Sequence, residues 1–247
     1  MESNCNRHES ALNRNKWLCV DLPVIEYREA WDLQHKLVSA RNDQILHNNI
    51  VLFLEHFPVF TLGRRGGLDN LTVSEDFLEK IGISVIHVER GGDITYHGPG
   101  QLVMYPIIDL RESGLRVLDF VTALEEIMIR AAKDWSVVAE RNPMNRGVWI
   151  KNKKLGSIGI TIRRGVSFHG IAFNINVALK PFDWINPCGL RGVRMTSMER
   201  ELSHPLSMHD MRAAVKRHME TVFGMKFEVA NLAELAKQMN LNLSFKK

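Results

Sequence analysis

The chain has 247 residues, 45% of them hydrophobic and 24% charged, with a formal net charge of +4, the proportions of a globular protein rather than a fibrous or low-complexity one. No apolar run approaches the roughly 20 residues needed to cross a bilayer, and the N-terminal stretch lacks the apolar core of a secretory signal, so the sequence predicts a soluble, cytoplasmic protein with no membrane partner. Cys5, Cys19 and Cys188 are too few and too scattered for a disulfide framework or a metal site, and no lysine-rich tail or basic helix marks a nucleic-acid partner.

Residues 1–15 are polar, carry no periodic apolar pattern and read as a flexible N-terminal extension, leaving 16–247 as a single domain. From Glu26 to Gln44 the apolar positions Ala30, Leu33, Leu37 and Ala40 recur at helical spacing, and a buried strand, Ile50 to Leu54, follows. Between Phe57 and Gly100 glycines are dense, which marks a loop-rich stretch that builds a site. Leu102 to Leu110 reads as a strand, and Val117 to Trp135 as a helix with the continuous stripe Val117, Val121, Leu124, Met128, Ala131 and Trp135. Val148–Ile150, Ser157–Ile162 and Val166–Val177 read as strands, the last with Ile171, Phe173, Ile175 and Val177 on one face. Ser207 and Asp210 form a capping box that opens a late helix, and Gly224 closes it. This mixture predicts an α/β (α+β) fold, a mixed β-sheet flanked by helices.

Three segments carry chemistry. Arg90 to Leu110 opens RGGDITYHGPGQ, glycines that let backbone amides approach a ligand, without the spacing of a P-loop or dinucleotide fingerprint. Cys188 follows Pro187 and precedes Gly189, a context that forbids a helix interior and favours a turn; a small buried hydrophobe and an exposed reactive thiol both fit it. Lys154 ends the run Lys151-Asn152-Lys153-Lys154 at the entry to a strand, where it is either solvated or drawn inward. His97 and His169, each followed by glycine, are open to roles as base, ligand or core hydrogen-bonder.

Taken together, these blocks resemble the lipoyl(octanoyl) transferase family: EHFPVFTLGRRGG, RGG-x-x-TYHGPGQLV-x-YP-x-x-DL, KLGSIG with RRGVSFHGIAFNINV, and INPCGL stand in the family's order. The resemblance implies the fold of lipoate and biotin protein ligases, with the acyl chain in a tunnel and 16–247 as the catalytic acyltransferase domain. It makes Cys188 the nucleophile that carries an octanoyl thioester and Lys154 its acid/base partner. It assigns the substrate pocket to Arg90, Gly91, Gly92, Asp93, Ile94, Thr95, Tyr96 and His97, together with Ser157, Ile158, Gly159, Gly170, Ile171 and Ala172. The implied donor is octanoyl-acyl carrier protein, and the acceptors are lipoyl domains of 2-oxoacid dehydrogenase complexes and the glycine cleavage H protein. The implied enzyme needs no cofactor, because one thioester exchanges for another; a monomer is expected, though no feature of the sequence sets the oligomeric state. An ammonium near a thiol favours the thiolate, which fits a Lys154–Cys188 pair. The rival readings are an ATP-dependent lipoate-protein ligase, a cysteine hydrolase using His97 or His169, and a non-catalytic acyl-binding module.

Overall fold

The structure is a computed structural model that describes residues 16–143, 145–186 and 193–240. Strand β1 (Lys16–Ile25) leads through Glu26 into helix α1 (Tyr27–Asn42), followed by β2 (Ile50–His56) and β3 (Val59–Leu62). A short helix α2 (Glu75–Lys80), capped by the Ser74 hydroxyl accepting from the Phe77 N–H, precedes β4 (Ser84–His87), β5 (Ile94–His97) and β6 (Gln101–Ile107). Helix α3 (Val117–Lys133) leads to β7 (Glu140–Arg141), β8 (Val148–Ile150), β9 (Lys153–Arg163) and β10 (Val166–Asn174). Then come β11 (Arg194–Met195), α4 (Met198–Leu202), α5 (Met208–Phe223), β12 (Lys226–Val229) and α6 (Leu232–Gln238).

Among the described residues, nine strands make one sheet in the order β12-β1-β2-β6-β10-β9-β8-β7, with β11 added beside β9. β1 runs parallel to β2 and β12, whereas β2, β6, β10, β9, β8 and β7 alternate antiparallel. A second sheet has the order β4-β3-β5. The mixed sheet flanked by helices is the architecture the sequence predicts.

Both faces of the large sheet are covered, which is why β2 is apolar from Ile50 to Leu54 and β6 from Leu102 to Ile107. Val51, Phe53, Leu102, Met104, Ile171 and Phe173 pack on Phe120, Leu124 and Met128 of α3 and Met211, Val215 and Met219 of α5. The residues between them in the chain, Ile50, Leu52, Leu54, Val103, Tyr105 and Ile107, turn the other way onto Ala30, Leu33, Leu37 and Val38 of α1. The small sheet has its own core of Phe60, Leu62, Ile94, Tyr96, Phe182 and Ile185.

The helices end close to the predicted positions, and the late one is capped by Ser207 accepting from the Asp210 N–H and closed by Gly224 at φ 63°. The β9–β10 hairpin turns on two residues, Arg164 (φ 49°) and Gly165 (φ 89°), and Arg163 pairs with Val166. Two residues with positive φ give the turn whose twist matches its strands, and so fix their register.

Phe173 is fully buried in the α3/α5 core. Phe173→Ala is expected to lower unfolding free energy by about 3–5 kcal/mol, read from the urea midpoint; a loss under about 1 kcal/mol would show that this core collapses around the gap.

Candidate active site

A cavity of about 500 Å³, counting its open mouth and the solvent in it, lies between the β9–β10 pair and the segment joining β4 to β5. Its sheet wall is set by register: Ser157 faces Ala172, Ile158 faces Ile171 and Gly159 faces Gly170. The two glycines leave no room to spare. A Cβ at Gly159 would lie 2.9 Å from the Gly91 carbonyl oxygen, and one at Gly170 would lie 2.0 Å from that of Met104. The glycine loop therefore lies directly on strand backbone, with the Gly91 N–H donating to Ile160 O at 3.0 Å. Arg90 anchors that loop, donating to Thr61 O at 2.7 Å, to the Thr61 hydroxyl at 2.8 and 3.1 Å, and to Gly91 O at 3.0 Å. Asp93 accepts from the Ile94 N–H at 2.6 Å and from Asn70 Nδ2 at 2.9 Å.

Tyr27, His97, Tyr105 and His169 also line the cavity, and apart from His169 Nε2, which is buried and makes no hydrogen bond among the described residues, their polar atoms bond to one another or to the polar groups behind them. His56 Nδ1 donates to Ile25 O at 3.1 Å, so its Nε2 accepts the Tyr105 hydroxyl at 2.7 Å. Gln101 Nε2 donates to Tyr96 O and to Asn174 Oδ1, which leaves Gln101 Oε1 to accept from His97 Nδ1 at 2.7 Å. Tyr27 stacks on His97 with centroids 5.6 Å apart, and its hydroxyl lies 3.5 Å from His169 Nδ1. His169 holds a left-handed backbone, φ 54°, inside a strand, a strained state for a non-glycine residue. Its N–H is taken by Gln34 Oε1 at 2.7 Å, and its ring stacks on Phe168. Behind it stands Glu89, which is 3.6 Å from His169 Nε2 and 2.9 Å from both His35 Nε2 and Trp31 Nε1.

Burial keeps these imidazoles neutral. It pushes His56 down to about 4 and His97 well below its ordinary value; it also lowers His169, although Glu89 pulls the other way. Burial raises the phenols, Tyr27 to about 12 and Tyr105 well above its usual range. For Glu89, burial opposes ionisation, but the His169 contact and the neighbouring histidines outweigh it and bring the carboxyl down to about 2.

Lys154 reaches the cavity from the start of β9 and is 2% exposed. Its Nζ donates to Asn145 Oδ1 at 2.5 Å and lies 5.3 Å from the centre of the Trp149 ring, whose Nε1 donates to Asn145 O at 3.1 Å. The loop bearing Asn145 is tied to α3 by the buried Glu125 carboxylate, which accepts the Gly147 N–H at 3.0 Å. Cys188, the expected nucleophile, lies outside the described residues, as do Pro187 and Gly189. On one side of that segment, the Asn186 N–H donates to the carbonyl of Asn70, the residue bonded to Asp93; on the other, Met195 pairs with Lys154.

Of the residues expected to bind substrate, all but Tyr96 line this cavity. Alternation along β5 sends Thr95 and His97 toward it and Tyr96 away, between Phe60 and Phe182. Tyr27 had no signal in the sequence beyond that of an ordinary core aromatic, Tyr105 stood in the quoted motif block with no role assigned to it, and His169 stood only as an open candidate. Among the described residues, no group of His, Cys, Asp and Glu side chains converges as a metal site.

A cavity walled by strand backbone and closed by neutral aromatic groups suits an enzyme that handles a small, largely apolar acid or acyl group. Residues 26–220 match the family described as the lipoyl protein ligase A/B catalytic domain. An octanoyltransferase of Desulfotalea psychrophila is 47% identical over 207 residues, covering 83% of this chain and 93% of that protein. A bi-partite lipoate protein ligase from Thermoplasma acidophilum superposes with a TM-score of 0.70 at 16% identity, covering 91% of each chain. The biotin protein ligase of Aquifex aeolicus in complex with biotin and ATP gives 0.52 at 12% identity, covering 84% of this chain and 70% of that one. The chain belongs to the octanoyltransferases of the lipoyl protein ligase A/B catalytic-domain family.

The lowered histidines make stability fall in acid. Between the ordinary histidine value of 6.5 and about 4, His56 binds a proton when unfolded but not when folded, so its contribution is full above 6.5 and is lost as pH falls toward 4. At about 1.4 kcal/mol per pH unit, His56 alone withdraws roughly 3 kcal/mol; Glu89 adds its own loss only below its ordinary value of 4.5. Urea midpoints measured from pH 7 to 4.5 should drop steadily, and less steeply in His56→Gln. A flat wild-type profile would mean that these imidazoles are solvated.

Proposed function

We infer that this protein transfers an octanoyl group from octanoyl-acyl carrier protein to the acceptor lysine of lipoyl domains, through a thioester on Cys188 with Lys154 as acid/base partner. One observation carries the assignment of roles: a buried lysine amine lies on the cavity wall, and the chain enters and leaves the segment bearing Cys188 beside that wall. Family membership supports the reaction, because the matching relatives carry the name octanoyltransferase. It also makes an ATP-dependent ligase the weaker reading.

In the first half-reaction the Cys188 thiolate adds to the thioester carbonyl of the donor; the carrier's thiolate departs with the proton of the Lys154 ammonium, leaving octanoyl on Cys188 and the Lys154 amine neutral. No nucleotide is needed, since one thioester replaces another. In the second, the acceptor amine adds to that carbonyl, its proton passes to Lys154 in neutral form, and the Cys188 thiolate leaves. Asn145 and Trp149 support this role by holding the Lys154 amine in one place. The cavity suits an alkyl chain, because most of its tyrosine and histidine polar atoms are engaged with each other and with the groups behind them. We read residues 16–247 as one catalytic unit, monomeric and cytoplasmic, that serves lipoyl domains of 2-oxoacid dehydrogenase complexes and the glycine cleavage H protein.

Mixing the protein with octanoyl-acyl carrier protein and an apo lipoyl domain, without ATP, and following intact masses tests this directly. Cys188→Ala is expected to abolish the enzyme-bound octanoyl adduct. Lys154→Arg keeps the charge but cannot accept a proton usefully, so it should retain thiol alkylation while losing roughly 10²–10⁴-fold in turnover. An adduct that persists in Cys188→Ala, or near-normal turnover in Lys154→Arg, would remove the corresponding assignment.

A further inference from the structure

Lys153 and Lys154 stand side by side at the start of β9, and a strand sends neighbours to opposite faces. Alternation does not say which of the two goes in. A slip by one residue would exchange them; the distant Arg164-Gly165 turn sets the register, and a local contact is needed to hold Lys153 as the outer one at this end of the strand. Glu201 does this. Its carboxylate forms an ion pair with the Lys153 ammonium and accepts the Thr196 hydroxyl at 2.5 Å. Thr196 is fully buried and is gripped on both sides of its backbone: its N–H donates to Lys154 O at 2.9 Å, and its carbonyl accepts from Asn174 Nδ2 at 3.0 Å. Glu201 thus reaches both the side chain next to Lys154 and the residue that holds the Lys154 backbone.

The short helix α4 aims Glu201 at this junction. Ser197 caps it by accepting from the Arg200 N–H at 3.2 Å, and the Glu199 N–H ties it to Ile175 O, just beyond β10, at 2.9 Å. The pairing of β11 with β9 is only two residues long, Arg194 with Lys153 and Met195 with Lys154. Two backbone partners are a weak hold on a strand, and the Glu201 contacts reinforce it where the chain returns from the Cys188 segment.

We propose that Glu201 is a positioning residue for Lys154: by holding Lys153 outward and Thr196 against the strand, it fixes the Lys154 amine at the cavity wall. The proposal rests on Lys154 being the acid/base partner, and it adds a residue with no contact to substrate. Misplacement of a reacting group by about 1 Å can lower rates by about 10²-fold. Glu201→Lys and Lys153→Glu are therefore each expected to lower kcat for octanoyl transfer roughly 10–100-fold with KM nearly unchanged, and to shift the pH profile of kcat. The charge-swapped pair, Lys153→Glu with Glu201→Lys, should recover at least about tenfold and restore the pH profile. Glu201→Gln keeps the shape and removes the charge, so it carries the test if the reversals do not fold, and it should lose kcat in the same direction.

The wild-type protein, Lys154→Arg and these variants are assayed together, with urea midpoints to confirm that each is folded. If Lys154→Arg retains turnover, the functional reading fails on its own account. If Lys154→Arg is impaired while folded Glu201→Gln matches wild type in kcat and pH profile, the positioning role is overturned. A folded swap that recovers neither kcat nor pH profile overturns it as well.

Discussion

A two-residue turn leaves its strands only one way to pair, and the Arg164-Gly165 turn thereby decides what faces what across the cavity. Gly159 meets Gly170 rather than a residue with a side chain, and the RGG loop can lie on the backbone there. At one end of the hairpin His169 is turned toward α1; at the other, Lys154 enters beside β11. Because strand side chains alternate with a period of two, an error of one residue would invert the whole wall at once. The elements around the hairpin, from Gln34 on α1 to Glu201 on α4, act as checks on a register the turn has set.

The polar interior follows a second rule, that a buried polar atom needs a partner and a buried charge needs more than one. Five tyrosine and histidine side chains lie together beneath the RGG loop, yet burial keeps the imidazoles and phenols uncharged, and most of their polar atoms find partners among neighbours, His169 Nε2 being the exception at 3.6 Å from Glu89. What they offer the cavity is largely ring surface. Polar residues can therefore wall an apolar site without a large desolvation penalty, provided the network stays closed.

Helix α3 and strands β8 to β10 were legible because their apolar spacing is local and uninterrupted. β1 was not, because Pro23 breaks the run that a strand would need; the structure accommodates it at a register shift between Asp21 and Val24. The small sheet escaped as well, since its strands are four residues long and lie among glycines, where turn signals dominate. Most of the cavity wall was legible through the motif resemblance, not through composition. Lys154 shows the difference. By residue type it is a solvated lysine, and its burial depends on Asn145, Trp149 and Thr196, which no periodicity brings together. Tyr27 was invisible for the opposite reason: it looks like an ordinary core residue and, apart from one face, it is.

Among the described residues, the large sheet ends in β12 at one side and β7 at the other, strands of four and two residues that carry Lys226, Glu228, Glu140 and Arg141. A free sheet edge is a template on which another extended chain can hydrogen-bond, and short, charged edges make poor templates. The molecule is thus guarded against growing into ribbons of its own copies. The same guard makes either of these edges a poor place for another protein to add a strand.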